Sequence, residues 1–236
     1  MTSSKRRLGA ATRVLKSGAG GLWRRLRTRN VRGANVRVQG FVGRRRVLDI
    51  RFLRAFVSNP LRMGAAFPSS PALADQITDP IDFRRARVIV ELGPGTGAFT
   101  RLLAQRAHPA CRVLALELDP RLAHYAAREF PRVEVINAAA QTLPQVLAER
   151  GIGAVDAVVS GLPFANFSAA QQADVVNAVR AALRPGGSFV SYSFMHAQVM
   201  PTSRRFRRSL SALFGRLDIH PVLLNAPPAL VYSCIA

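Results

Sequence analysis

The chain has 236 residues, 49% of them hydrophobic and 20% charged, a composition that suits a folded α/β domain with an extension and excludes a disordered chain. Its 34 Lys and Arg against 13 Asp and Glu leave a net charge of +21, which predicts attraction to a polyanion, either nucleic acid or an anionic lipid surface. Two cysteines without metal-ligand spacing exclude a zinc ribbon or disulfide framework, and no run approaches the roughly 18 uncharged apolar residues that cross a bilayer. No metal is expected. Arg13 and Lys16 interrupt the apolar core a signal peptide needs, so a cytoplasmic protein is expected.

Through Arg46 the chain carries 14 basic residues and no acid, which sets a boundary between residues 30 and 50. Within it, Leu8, Leu15, Leu22 and Leu26, with Trp23, recur at helical spacing among arginines that include Arg24 and Arg25. That stripe fits a helix lying in a membrane interface. Gly18, Gly20 and Gly21 weaken such a helix and leave a basic tail as the other reading. Residues 48–62 form a second amphipathic pattern, stopped by Pro60, and Pro71 starts a short helix through Ile77. We divide the chain into a basic membrane-binding extension (1–47), a helical lid segment (48–86) and a main domain (87–236).

From residue 87, short β-rich runs alternate with helical stretches. The strands expected are Val88–Leu92, Val113–Leu118, Val133–Asn137, Ala154–Ser160 and Ser188–Phe194. Between them the helices expected are Thr100–Arg106, Arg121–Glu129, Leu143–Arg150 and Ala169–Leu183. Alternation at this pitch predicts a parallel sheet with crossover helices. Two final runs, Leu217–Leu224 and Leu230–Ile235, have a connection short enough for an antiparallel pair.

The sharpest motif is Glu91-Leu92-Gly93-Pro94-Gly95-Thr96-Gly97, placed between the first strand and its helix. Glycines there allow a tight turn and close approach of the backbone to a ligand. The acid two residues before the first glycine has no use against a pyrophosphate, but it suits a ligand carrying an ammonium and a sulfonium. Glu117 closes the second strand twenty residues after Gly97, where a carboxylate can accept both hydroxyls of a ribose. Asp119 reads as the N-cap of the helix after it.

On these residues the chain resembles the class I S-adenosylmethionine (SAM) methyltransferases over about residues 87–236. Ser160-Gly161-Leu162-Pro163 after the fourth strand, with Asn59-Pro60, Gly64-Ala65 and Pro68-Ser69-Ser70 upstream, narrows the resemblance over residues 48–236. It looks like the bacterial phospholipid N-methyltransferases, relatives of the rRNA adenine dimethyltransferases. The resemblance implies a Rossmann-like, mostly parallel seven-stranded sheet of order 3-2-1-4-5-7-6 behind N-terminal amphipathic helices. It implies SAM, released as S-adenosylhomocysteine, held by Glu91, Gly93, Gly95, Thr96, Gly97, Glu117, Leu118, Ala139, Ala140 and Ser160. Ala139 stands where many relatives carry an Asp for the adenine amino group, which leaves backbone groups or Gln141 for that contact. Catalytic positions are Gly161, Leu162, Pro163, Phe164 and Tyr192, with Phe164 and Phe167 as apolar walls that desolvate an incoming amine. A buried strand position is the other reading of Tyr192. His196 is a candidate base or a surface residue.

Adenine-N6 methyltransferases carry Asn or Asp where this chain has Gly161, so its site has no side chain to hold a base. The implied acceptor is phosphatidylethanolamine or a related phospholipid amine. The implied partner is an anionic phospholipid membrane, with the protein peripheral on the inner face of the cell membrane. Leu22, Trp23, Arg24, Arg25, Arg204, Arg205, Arg207 and Arg208 are the expected membrane and phosphate contacts. Two rivals stand beside this reading. One is an RNA adenine methyltransferase, whose nucleic-acid partner explains the charge equally well but fits Gly161 less well. The other is a non-catalytic SAM-fold protein that binds membranes.

Overall fold

The computed structural model describes residues 69–236. The expected helices in residues 5–29 and 48–62, with Leu22, Trp23, Arg24 and Arg25, lie outside the described residues. Seven strands form one sheet: β1 (Val88–Leu92), β2 (Arg112–Glu117), β3 (Glu134–Asn137), β4 (Val155–Ser160), β5 (Leu183–Phe194), β6 (Arg216–Val222) and β7 (Ala229–Ile235). Their order is β3-β2-β1-β4-β5-β7-β6, as the resemblance implied. The first five are parallel, and β7 runs antiparallel to both β5 and β6.

The helices are α1 (Pro71–Thr78), α2 (Ala98–Arg106), α3 (Pro120–Glu129), α4 (Leu143–Ala148), α5 (Ala169–Ala182) and α6 (Pro201–Leu213). Local chemistry sets their starts. Ser70 caps α1 by accepting from the Leu73 amide at 3.1 Å, and Asp119 caps α3 by accepting from Arg121 at 2.7 Å. Ser168 and Gln171 form a reciprocal capping box on α5.

Two expectations need correction. Leu183 begins β5 rather than ending α5. Residues 201–213, read from sequence only as an arginine-bearing insert, form a full helix. Pro201 sits in its first turn, and Phe206 and Leu210, four apart, face the core.

Alternation along the strands divides the core into two layers. Ile89, Val113, Ala157 and Val190 face α1, α2 and α3, while Val90, Leu114, Val158 and Phe189 face α4, α5 and α6. With both faces covered, β1 and β4 read as near-continuous apolar runs. The parallel strands all end on one edge, where Leu92 is in register with Leu116 and Ser160, and Glu117 with Asn137. An open α/β sheet binds its ligands at that carboxyl edge.

Candidate active site

The loop leaving β1 turns on glycines in the left-handed region, Gly93 at φ 71° and Gly97 at φ 89°. At Gly97 a second constraint applies. A Cβ there would stand 2.2 Å from the Phe130 ring, which packs over the loop beneath the Arg101 guanidinium. The Gly93 amide donates to the Leu116 carbonyl at 2.9 Å, tying the loop to β2. Gly95 has open space where a side chain would project. The backbone of Gly95-Thr96 is therefore accessible to a ligand.

Glu91 is fully buried on the α2 side of β1, and neither carboxylate oxygen has a hydrogen-bond partner among the described residues. Burial pushes its pKa from 4.5 up to about 7. The nearby hydroxyl and amide of Thr100 pull against that rise without closing a full hydrogen bond, and among the described residues the Thr100 hydroxyl is itself unpartnered. An orphaned buried carboxylate of this kind is a place for a cation.

Glu117 ends β2 almost fully buried. Its Oε2 accepts from the Gly95 amide at 3.1 Å and its Oε1 from the Asp119 amide at 3.0 Å. Burial raises its pKa against these bonds. The two motifs separated by twenty residues thus meet: the second acid is fastened to the glycine loop of the first. Asn137, which no motif spacing in the sequence singles out, holds the adjoining backbone. Its Nδ2 donates to the carbonyls of Glu117 at 2.8 Å and Leu118 at 3.0 Å. An amide closing a strand beside a ligand loop was the available signal.

Ala139 and Ala140 lie in the turn after β3. The Ala139 carbonyl already accepts from the Thr142 hydroxyl and amide, and Ala140 is buried. Among the described residues the buried side-chain oxygen of Gln141 has no partner. Of the groups weighed for adenine, Gln141 offers a side-chain acceptor that is free among the described residues.

Ser160 is fully buried, and its hydroxyl accepts from the Leu162 amide at 3.3 Å, so its side chain shapes the loop. Gly161 donates to the Leu92 carbonyl at 2.9 Å, and a Cβ on Gly161 would stand 2.8 Å from the Gly93 carbonyl oxygen. Leu162 lies over Gly93. The Leu162 carbonyl accepts from the Phe164 amide across Pro163, whereas the Gly161 carbonyl accepts no backbone bond among the described residues.

Phe164 and Phe167 overturn the expectation that they wall the acceptor channel. Both are almost fully buried in the core under α5 and α6; Phe164 stacks on Phe206 at 4.0 Å and meets Phe167 and Phe189 edge-on. An apolar-Pro-aromatic run does not tell a rim ring from a core ring, and α6, which supplies Phe206, was not expected as a helix. Gln172 and Thr202 complete the support. Gln172 donates to the Phe164 carbonyl at 2.7 Å and the Thr202 carbonyl at 3.0 Å, and the Thr202 hydroxyl donates to Ala165 at 2.6 Å.

Tyr192 is half-buried on the same sheet face as Glu91, edge-on to Phe99 and Phe194. Burial raises its phenol pKa, with the Ser69 side chain acting the other way. Its ring is neutral at ordinary pH and offers a hydroxyl, not a base. His196 is exposed and stacked on Phe194. Arg204, Arg205, Arg207 and Arg208 line the outer face of α6, and none of them makes an ion pair among the described residues.

Residues 89–187 match the family model described as "Methyltransferase domain". The chain is 36% identical over 186 residues to an ornithine lipid N-methyltransferase from Singulisphaera acidiphila, covering 78% of this chain and 93% of that one. The chain belongs to the bacterial lipid N-methyltransferases of the class I SAM-dependent fold. A shorter match, 40% over 75 residues, joins it to the ribosomal RNA small subunit methyltransferase A of Acidobacterium capsulatum, 32% of this chain and 25% of that one. Among solved structures, an O-methyltransferase from Bacillus cereus in complex with SAH has TM-score 0.57 at 18% identity, covering 80% of this chain and 92% of its own. The O-methyltransferase TomG from Streptomyces achromogenes, in complex with SAM, has TM-score 0.56 at 17% identity, covering 81% and 91%. At such identities these two speak to the fold.

As a member of this family the protein is a SAM-dependent methyltransferase. The site suits that ligand: a buried acid unpartnered among the described residues for an ammonium, a second acid at the strand end for ribose hydroxyls, and an open glycine turn between them. Among the described residues no group of three or more His, Cys, Asp or Glu could hold a metal ion, and no helix is long and apolar enough to cross a membrane.

Proposed function

We propose that this lipid N-methyltransferase methylates the headgroup amine of phosphatidylethanolamine or a related phospholipid at an anionic membrane surface. The observation that carries the reading is the contact of Gly161 with the Gly93 carbonyl, because it leaves no room for the base-holding side chain of an adenine methyltransferase. The Singulisphaera relative, named an ornithine lipid N-methyltransferase, supports a lipid amine as acceptor in general.

Bound SAM supplies a methyl group on a positively charged sulfur. The chain's own residues do the positioning, which is worth about 7–11 kcal/mol of barrier when the reacting atoms are well aligned. Glu91 holds the ammonium end of the donor and Glu117 its ribose. The Gly161 carbonyl accepts an N–H of the incoming amine, and Leu162 keeps water from the loop. Tyr192 offers its hydroxyl from the neighbouring strand. The four arginines of α6, which make no ion pair among the described residues, hold lipid phosphate, each adding about 1 kcal/mol near an anionic surface. The protein then works as a peripheral enzyme on the inner face of the cell membrane, with residues 1–47 as a further membrane contact.

The test is methyl transfer from labelled SAM to vesicles containing phosphatidylethanolamine, ornithine lipid or neither. Label in phosphatidylethanolamine supports the proposal. Label confined to ornithine lipid replaces the acceptor while keeping the chemistry. RNA adenine methylation is the second reading, favoured by the shorter ribosomal RNA methyltransferase match and the +21 charge.

A further inference from the structure

The turns at the carboxyl edge of the sheet are unusually apolar. Leu223 and Leu224 follow β6 and are 69% and 83% exposed, and Val199, in the turn after β5, is 75% exposed with Met200 beside it. Turns and connecting loops are ordinarily built from polar residues and glycine. Phe194, Ala229 and Val222 are in register across β5, β7 and β6, so the two turns leave the sheet about 10 Å apart, two strand spacings.

Both turns are rigidly mounted. Asn225 accepts from the Ser70 amide at 2.9 Å and donates to the Pro227 carbonyl at 2.6 Å, fixing the β6–β7 turn to the start of α1. In the other turn, the Met195 amide donates to the Pro228 carbonyl at 2.8 Å, and the Tyr232 hydroxyl donates to Gln198 at 3.0 Å. The leucines are therefore held outward by a polar framework. Arg204 and Arg205 follow directly in α6, exposed and without acidic partners among the described residues.

We propose that Leu223, Leu224 and Val199 are anchors that insert into the interfacial layer of an anionic bilayer, with the α6 arginines beside them on lipid phosphates. Exposed apolar side chains rimmed by one sign of charge mark such a surface. The two turns lie on the edge that carries Gly161 and the glycine loop, so docking through them sets the site against the leaflet. The inference rests on the lipid-amine reading and adds the surface by which the enzyme reaches its substrate.

The test is co-sedimentation of the full chain with phosphatidylcholine vesicles containing phosphatidylglycerol, neither of which is an amine acceptor. Leu223→Ser combined with Leu224→Ser is expected to weaken partition by about tenfold or more, because each leucine loses its transfer into the interface. SAM affinity by calorimetry stays at the wild-type value. Val199→Ser alone gives a smaller loss in the same direction and serves if the double variant fails to fold. Unchanged partition in both variants overturns the proposal. If melting temperature also falls, the turns are covered by residues 1–68 of the chain; if a concentration-dependent dimer disappears, they are covered by a second copy. Because the vesicles contain no acceptor, failure here leaves the acceptor assignment standing, and failure of lipid methylation leaves this result standing.

Discussion

Gly161 lies against Gly93 so closely that a Cβ on Gly161 would stand 2.8 Å from the Gly93 carbonyl oxygen. The neighbour is backbone of the donor loop, which cannot swing aside as a side chain end does. Gly161→Ala is therefore expected to lower stability by about 1–3 kcal/mol and to slow methyl transfer by displacing the loop. Gly161→Asn restores the residue type of the adenine enzymes but not their space, and it is expected to gain no methylation of RNA. Thermal melting and labelled-methyl incorporation into RNA check the two statements.

Glu91 predicts a conflict between stability and binding. Its folded pKa, about 7, lies above the ordinary 4.5, so the folded state holds the proton more tightly than the unfolded chain. Stability from this group is complete below pH 4.5 and is lost as pH rises through 7, a change on the order of 3 kcal/mol. Glu91→Gln removes the titration. The melting temperature of the variant minus that of the wild type is expected to grow from pH 5 to pH 8. Wild-type affinity for SAM is expected to rise over the same range, as the carboxylate ionises to meet the donor's ammonium. That rise disappears in the variant. Melting curves and calorimetry at matched pH values measure both.

Glu117 accepts from Gly95 and Asp119 before any ligand arrives, which sets its carboxylate at the loop. Glu117→Gln loses the charge and turns one acceptor into a donor facing an amide. The expected outcome is an affinity for SAM lower by about tenfold to a hundredfold, the worth of a hydrogen bond to a charged group. Affinity within twofold of wild type would place the ribose elsewhere.

Phe164→Ala separates the corrected role from the expected one. Loss of a ring stacked in the core is expected to lower stability by about 3–5 kcal/mol. SAM affinity of the folded protein stays near wild type. Unchanged stability with a large loss of rate would instead return the ring to the acceptor channel.

The parts of this site that could be read from sequence are those with a fixed spacing. Glu91, the three glycines and Glu117 follow from strand-turn-helix geometry, and the strands stand out because burial on both faces makes their runs apolar. What escaped depends on contacts distant in sequence. The amide of Asn137 acts on carbonyls nineteen and twenty residues away, and Gln172 reaches thirty residues to Thr202. Phe164 could not be placed before α6 was recognised as a helix, because its stacking partner Phe206 lies on it. The α6 pattern itself was obscured by arginines, since Phe206 and Leu210 are the only large apolar residues before Leu213.

A single incubation addresses the acceptor directly: full-length protein, SAM labelled at the methyl, phosphatidylethanolamine-containing anionic vesicles and total RNA together, followed by separation of lipid from RNA. The account predicts label in the lipid fraction on the headgroup nitrogen, with RNA at background. Label on RNA adenines with unlabelled lipid would contradict it.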